Sequence, residues 1–331
     1  MKMSPEPALD ALLREAEASL ATACSAVPVW SIPGFYYDRE GHLSEKRRME
    51  PDAQAAYTCA LAYRVAGARE YARKAAELLD GWATVNREIG GHDGPLVSAY
   101  LGVGFIRAAI WLEPFEAWSR EARERFAGWL TRVCLPAWEG IEGRNNWWDW
   151  SLYARLALHR FTGDDAAFGA AAEALKSHIE HAVAEDGFLP EEAARGANAM
   201  WYHYFALAPM TAAAKLVLDA TGEDLFRWTS PGGKGIKRAL DTFLHYADGR
   251  AADWPFGEKQ NVPAPLGADT WPVDLFEAMA IVYRDEDYAR FAAPYRPVKG
   301  HRNASSGFFQ SYAWNYPSLW LEDPHERGQC R

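Results

Sequence analysis

Along this 331-residue chain, apolar runs of helical period repeatedly end in the same punctuation. Gly67 stands between Tyr63 and Tyr71, Gly163 between His159 and Phe168, and Gly222 between Leu218 and Phe226. A degenerate version lies between Ile281 and Tyr288. A glycine just past a helix takes the left-handed conformation that closes the last turn. Acidic residues then open the next helix, favoured by its dipole, and an aromatic residue closes over the turn. Such a chain folds back on itself as antiparallel helical hairpins. The spacing is too irregular for a solenoid. Repeated around a chain of this size, the hairpins predict an all-α fold, an (α/α) toroid or barrel with long aromatic loops at one end lining a cleft. We expect one catalytic domain over residues 1–331, with an irregular tail, 294–331, packed on the barrel.

Helical periodicity and cap signals place helices over residues 5–23, 50–65, 69–84, 96–111, 119–134, 148–161, 166–184, 199–221 (kinked at Pro209), 234–246, 274–283 and 287–293. Residues 27–42 read as an aromatic loop, 88–95 as a glycine-rich loop and 249–272 as a loop with four prolines. No alternating strand is evident in the body; short strands could lie in the tail.

Composition narrows the function. Apolar residues make up 49% of the chain, enough for a large core, and the net charge is −10. A chain this acidic lacks the basic face of a general nucleic-acid binder. An acidic polysaccharide or oligosaccharide remains a possible substrate if positive potential is local. Cys24, Cys59, Cys134 and Cys330 form no metal or redox motif, and no His or carboxylate cluster has ligand spacing, so no metal or cofactor is expected. No run approaches ~20 apolar residues, so no membrane span is expected. The N-terminal residues alternate charged and apolar positions without a signal-peptide core. The chain as given therefore reads as cytoplasmic, and as periplasmic or secreted if a leader has been removed. Oligomeric state is not readable.

Polar and aromatic residues concentrate between Gly143 and Pro209. Arg144-Asn145-Asn146-Trp147-Trp148-Asp149-Trp150 opens this stretch, and Arg195 to Pro209, containing Asn198, Trp201, Tyr202, His203 and Tyr204, closes it. Cores favour aliphatic residues without polar atoms needing partners, so the pattern suggests aromatic rings with convergent polar groups, as in a sugar cleft. Each residue also has a structural reading. One of Asn145 and Asn146 could cap the next helix, the tryptophans could pack, and Arg195 could be a surface charge. Tyr202 and Tyr204 point about 200° apart on a helix, so one of them belongs in the core. His203 could be buried. His92, with Asp93 in the glycine-rich loop, and His301-Arg302-Asn303, followed by aromatics, are further candidates for substrate contact.

On these residues the chain resembles the alginate lyase superfamily, including polysaccharide lyase family five. Asn145-Asn146-Trp147-Trp148-Asp149-Trp150 resembles its Asn-Asn-His-x-x-Trp segment. Asp186-Gly-Phe-Leu-Pro-Glu-Glu192 resembles its Gly-Phe-Leu-Pro-x-Glu turn, and Tyr202-His203-Tyr204-Phe-Ala-Leu207 its Tyr-His-x-Tyr-Ala-Leu helix. The similarity covers about residues 50–220. It implies an (α/α) toroid and β-elimination on a uronate polymer. Trp147 stands where the family has His, Asn198 where it has a catalytic Arg, and Phe205 where it has a catalytic Tyr. Arg195 and Tyr202 keep the family's Arg-to-Tyr spacing three residues earlier.

Elimination at a 4-linked uronate removes the C5 proton and expels the sugar on O4. The carboxylate must be neutralised, which suits Asn145, Asn146 and Arg195. In mannuronate and glucuronate the proton and O4 share a face, so one tyrosine, Tyr202 or Tyr204, can act as base and then acid, with Arg195 and His203 in support. Trp147, Trp148, Asn198, Trp201, His92, His301 and Arg302 would bind sugar. Two rivals stand beside this. One is a glycoside hydrolase on uronide oligosaccharides using Asp93, Asp149, Glu191 or Glu192. The other is a sugar-binding relative without activity.

Overall fold

The glycine turns adopt the geometry their sequence requires. In a computed structural model describing residues 6–321, Gly67, Gly163 and Gly222 have φ of 75°, 74° and 79°. A Cβ at any of the three would meet nothing within 4 Å. Backbone conformation, not space, selects glycine there. The degenerate fourth turn has the same left-handed conformation at Arg284, φ 55°.

The helices are α1 (Glu6–Ser19), α2 (Arg39–Ala66), α3 (Arg69–Val85), α4 (Gly94–Trp111), α5 (Arg120–Trp129) and α6 (Leu135–Glu139). They continue with α7 (Asn146–Thr162), α8 (Asp165–Ala182), α9 (Pro190–Ala193), α10 (Ala199–Thr221) and α11 (Ile236–Ala247). The last are α12 (Val273–Tyr283), α13 (Glu286–Ala292) and α14 (Pro317–Trp320). Backbone contacts divide the chain into two compact units. The first is Met1–Glu142, Ala157–Asp164 and Arg302–Tyr312; the second is Gly143–Leu156, Asp165–His301 and Ala313–Arg331. Cys330 lies outside the described residues.

In the first unit α2 packs against α1, α3 and α4. By length and composition α4 could cross a membrane, an exception to the sequence reading, but 83% of it is buried inside the protein, as suits a core helix. A Cβ on Gly104 would meet the Tyr312 ring at 2.6 Å, so glycine admits the tail segment against α4. Tryptophans do much of the packing. Trp30 and Trp82 meet edge to face at 5.5 Å. Their indole N–H groups are satisfied by the Glu45 carbonyl and the Asp52 carboxylate. Each such buried ring contributes about 1.5–3 kcal/mol.

Two expectations need correction here. Residues 39–42, expected as loop, are helical, because α2 starts eleven positions before the expected residue 50 and carries Pro51 in its interior. The Asp38 carboxylate accepts the Gly41 N–H at 2.9 Å and supplies the cap. The body also holds strands: β1 (Val29–Ser31) and β2 (Glu88–Gly90) pair in parallel, with Trp30 opposite Ile89. Among the described residues of the tail, Arg302 and Phe309 form an isolated antiparallel bridge.

In the second unit α10 is the central element, touching α8, α9, α11 and α12. It passes through Pro209 without interruption. Its first turn is capped from a distance: Gln260 Oε1 accepts the Met200 N–H at 3.0 Å, and Gln260 Nε2 donates to the Gly196 carbonyl at 3.0 Å. The proline-rich loop thus fastens the start of α10. The tail closes on the same helix, where Trp314 Nε1 donates to Thr211 Oγ1 at 2.9 Å and stacks on Trp320 at 5.6 Å.

Candidate active site

The second unit brings together the start of α7, the α9–α10 turn, the first turns of α10, the start of α12 and His301. Asn145 is the residue before α7. Its Oδ1 accepts the Trp147 N–H at 3.0 Å, a cap that uses the oxygen and not the amide nitrogen donor. Asn146 is fully buried. Its backbone N–H donates to Glu192 Oε1 at 2.7 Å, and its Nδ2 to both Glu192 oxygens at 3.1 and 3.0 Å. The Asn146 amide donors therefore face a protein carboxylate. Trp147 and Trp148 are half-buried, whereas Trp150 is buried against Phe205 at 5.3 Å.

Glu192 is itself buried. Burial pushes its carboxyl up to about 7; the Asn146 bonds oppose this, the Asp149 charge adds to it and Arg195 opposes it. Its pKa exceeds the ordinary value of 4.5, so the folded state holds the proton longer than the unfolded chain. Its contribution to stability therefore falls as pH rises from about 4.5 to about 7. Glu192→Ala would leave the Asn146 N–H buried without an acceptor. We expect a loss of about 1–3 kcal/mol, read by urea unfolding, together with a flatter stability profile across that pH range.

Arg195 and Tyr202 form a pair. The Arg195 guanidinium carbon lies 4.7 Å from the Tyr202 ring centroid, and its Nε is 3.9 Å from Glu192 Oε2. Both side chains are half-buried. Arg195 thus connects the carboxylate holding α7 to an accessible tyrosine. Asn198 is exposed and accepts from Asn261 Nδ2 at 2.9 Å.

His203 and Tyr204 point inward. His203 Nδ1 donates to the Ala199 carbonyl at 2.9 Å, and its Nε2 accepts the Leu189 N–H at 3.1 Å. It lies among Phe188, Phe243 and Trp254, and burial lowers its pKa to about 4. It is a neutral tie between α10 and the Gly-Phe-Leu-Pro turn. The Tyr204 hydroxyl, also buried, donates to Asp274 Oδ2 at 2.9 Å. Burial and the Asp274 charge raise its pKa well above the ordinary tyrosine value. Of the two tyrosines proposed from sequence, Tyr202 is the accessible one. Trp201 is half-buried, stacked on Phe205 at 5.3 Å and edge-on to His301 at 5.2 Å.

The remaining candidates belong to the first unit. His92 is exposed, and its Nδ1 is 2.7 Å from Asp93 Oδ1, while His42 Nδ1 is 3.0 Å from Asp93 Oδ2. Burial would raise the Asp93 carboxyl, but hydrogen bonds from His42, His92 and the Phe35 N–H hold it below the usual range. Arg302 pairs with Glu15, donates to the Gly307 carbonyl at 2.9 Å and lies over the Phe309 ring. These partners all belong to that unit. Of the carboxylates a hydrolase would draw on, Asp149 is buried 3.0 Å from His178 Nε2, Glu192 is bound to Asn146, Asp93 is bracketed by histidines, and Glu191 is exposed. Asp274 and Gln260 escaped the sequence reading.

Comparison with known proteins defines the family and the fold. The sequence profile of the alginate lyase family matches residues 15–254. A polysaccharide lyase of Stenotrophomonas maltophilia (strain K279a) is 28% identical over 279 residues, covering 77% of this chain and 82% of its own. The crystal structure of an alginate lyase from Bacteroides ovatus superposes with a TM-score of 0.74 at 17% identity, over 95% of this chain and 92% of that one. A variant of alginate lyase A1-III, from Sphingomonas species A1, complexed with a tetrasaccharide, gives 0.68 at 18% identity over 85% and 86%. The structural likenesses show the fold, an all-α fold of the (α/α) toroid class. The chain belongs to the alginate lyase family and is a polysaccharide lyase.

Proposed function

We propose that the enzyme cleaves a 4-linked uronate polymer or oligomer, mannuronate or glucuronate, by β-elimination, with Tyr202 as base and then acid. The Arg195–Tyr202 pair, 4.7 Å apart and half-buried on both sides, carries this reading. Removing the C5 proton needs the sugar carboxylate neutralised, so that charge can spread into it as the proton leaves. Arg195 supplies a fixed positive charge and planar donors suited to a carboxylate, and the Asn145 amide nitrogen a neutral donor. The same guanidinium lies against the ring on which charge develops when the Tyr202 hydroxyl gives up its proton. With the C5 proton and O4 on one face of the sugar, Tyr202 takes the first and returns a proton to the second. Tyr204 cannot share this work while its hydroxyl is bound to Asp274. Trp147, Trp148 and Trp201 offer half-buried ring faces for the sugar, with His301 edge-on to Trp201 and Asn198 exposed three residues before it. The acidic polysaccharide is the partner this chemistry needs.

The experiment is a panel of polymannuronate, polyglucuronate, polyguluronate and polygalacturonate, scored by the ultraviolet absorbance of the C4–C5 double bond. Absorbance should rise on the first or second and stay flat on the other two, whose reacting groups lie on opposite faces. Arg195→Ala should lower kcat/KM on the active polymer about a hundredfold or more. A flat response across the panel would sink the proposal.

A further inference from the structure

Asp274 has no role in the reaction just proposed, yet it joins three segments far apart in sequence. It lies in the first turn of α12 and is 5% exposed. Its Oδ2 accepts the Tyr204 hydroxyl at 2.9 Å and the His301 backbone N–H at 3.2 Å, and its Oδ1 accepts the Leu275 N–H at 2.9 Å. A carboxylate this buried is tolerated only when such donors surround it. Packing alone would be served as well by an apolar side chain.

What these bonds hold in place is His301. Its main chain is tied to Asp274, and its Nδ1 accepts the Trp271 N–H at 3.2 Å. With Nδ1 accepting, the proton of the neutral ring is on Nε2. The ring stands edge-on to Trp201 at 5.2 Å and to Tyr204 at 5.9 Å. Unlike Tyr204, His301 is only half-buried, as is Trp201. The Trp271 N–H thus sets the ring tautomer and the Asp274 carboxylate, which itself stays inside, fixes the main chain that carries the ring beside Trp201.

We propose that His301 contacts the substrate uronate as a neutral Nε2–H donor to its carboxylate, and that Asp274 is the positioning residue that holds it there. This rests on the uronate reading above. A neutral donor would add to carboxylate recognition without requiring a second cation in addition to Arg195.

Affinity for a saturated oligouronate, and for the same oligomer with its carboxyls reduced to alcohols, tests the assignment by calorimetry. The proteins are wild type, His301→Ala, Asp274→Ala, Asp274→Asn and the His301→Ala/Asp274→Ala double variant. His301→Ala should weaken binding of the charged oligomer about ten- to a hundredfold and leave the reduced oligomer unaffected. Asp274→Ala should match it, the double variant should be no worse than His301→Ala, and Asp274→Asn, which keeps an acceptor, should recover most of the affinity. Equal weakening for both oligomers, or additive losses in the double variant, would overturn the proposal. So would unchanged affinity in His301→Ala. If Asp274→Ala does not fold, His301→Ala must still lose the carboxylate-dependent affinity and Asp274→Asn must still keep it. Binding needs no turnover: carboxylate-selective affinity without unsaturated product would contradict the reaction above, whereas turnover with unaltered selectivity in His301→Ala would contradict only this inference.

Discussion

Tyr202→Phe should reduce unsaturated product from the preferred polyuronate by about 10²–10⁴-fold, the range a positioned acid–base group supplies, while the oligosaccharide still binds. The substitution removes one oxygen from a half-buried ring and leaves the Arg195 contact with the ring face in place. The fold and the carboxylate-neutralising charge should therefore survive, and the loss should fall on kcat rather than KM. Tyr204→Phe should behave differently. It takes a donor from a buried carboxylate whose pKa is already pushed up to about 6 by burial, against the bonds from Tyr204 and His301. A stability loss of about 1–3 kcal/mol is expected, with product formation falling less than in Tyr202→Phe. Thermal unfolding and initial rates on both variants separate the two cases. If Tyr204→Phe were the inactive one and Tyr202→Phe retained wild-type turnover, the assignment of the base would be reversed.

The second large effect is structural. His203→Ala should destabilise the protein by about 4 kcal/mol. It opens a cavity among Phe188, Phe243 and Trp254 and leaves the Leu189 N–H without its acceptor. His203 also gives stability a pH dependence. Burial lowers its pKa from 6.5 to about 4, so between those values the unfolded chain binds a proton that the folded state refuses. Stability from this group is fully present above about pH 6.5. It is lost progressively as pH falls to about 4, by an amount on the order of 3 kcal/mol. Glu192 and Asp274 contribute slopes of the opposite sign, so the useful quantity is the difference between wild type and His203→Gln. That difference should shrink as pH falls through the same interval. A constant difference would mean that His203 is not held neutral.

How much of this could be read from sequence depends on how local each cause is. The hairpins could be, because a C′ glycine and a helical stripe act within a few residues, as at Gly67, Gly163 and Gly222. The start of α2 could not, because Pro51 looks like a start signal, although the helix begins at Arg39 and runs through it. The β1–β2 pair escaped because each strand has three residues and gains its partner only through long-range pairing. In the candidate site, residue types marked segments that the second unit brings together, but not which side chains turn outward. Asn145 and Asn146 are neighbours, yet Glu192, 46 residues away from Asn146, decides that one caps and the other is buried. Tyr202 and Tyr204 differ because Asp274, 70 residues beyond Tyr204, captures its hydroxyl. Gln260 reaches Met200 across 60 residues. No local pattern announces such partners.

The central claim is elimination on a uronate, and the mass balance of the products tests it most directly. A defined mannuronate or glucuronate oligomer is digested with the wild-type protein and the two fragments of each cut are weighed by mass spectrometry. Elimination predicts fragment masses that sum to the parent, with the new non-reducing end lacking one water and carrying the double bond. Fragments that sum to the parent plus one water would show hydrolysis and contradict the account.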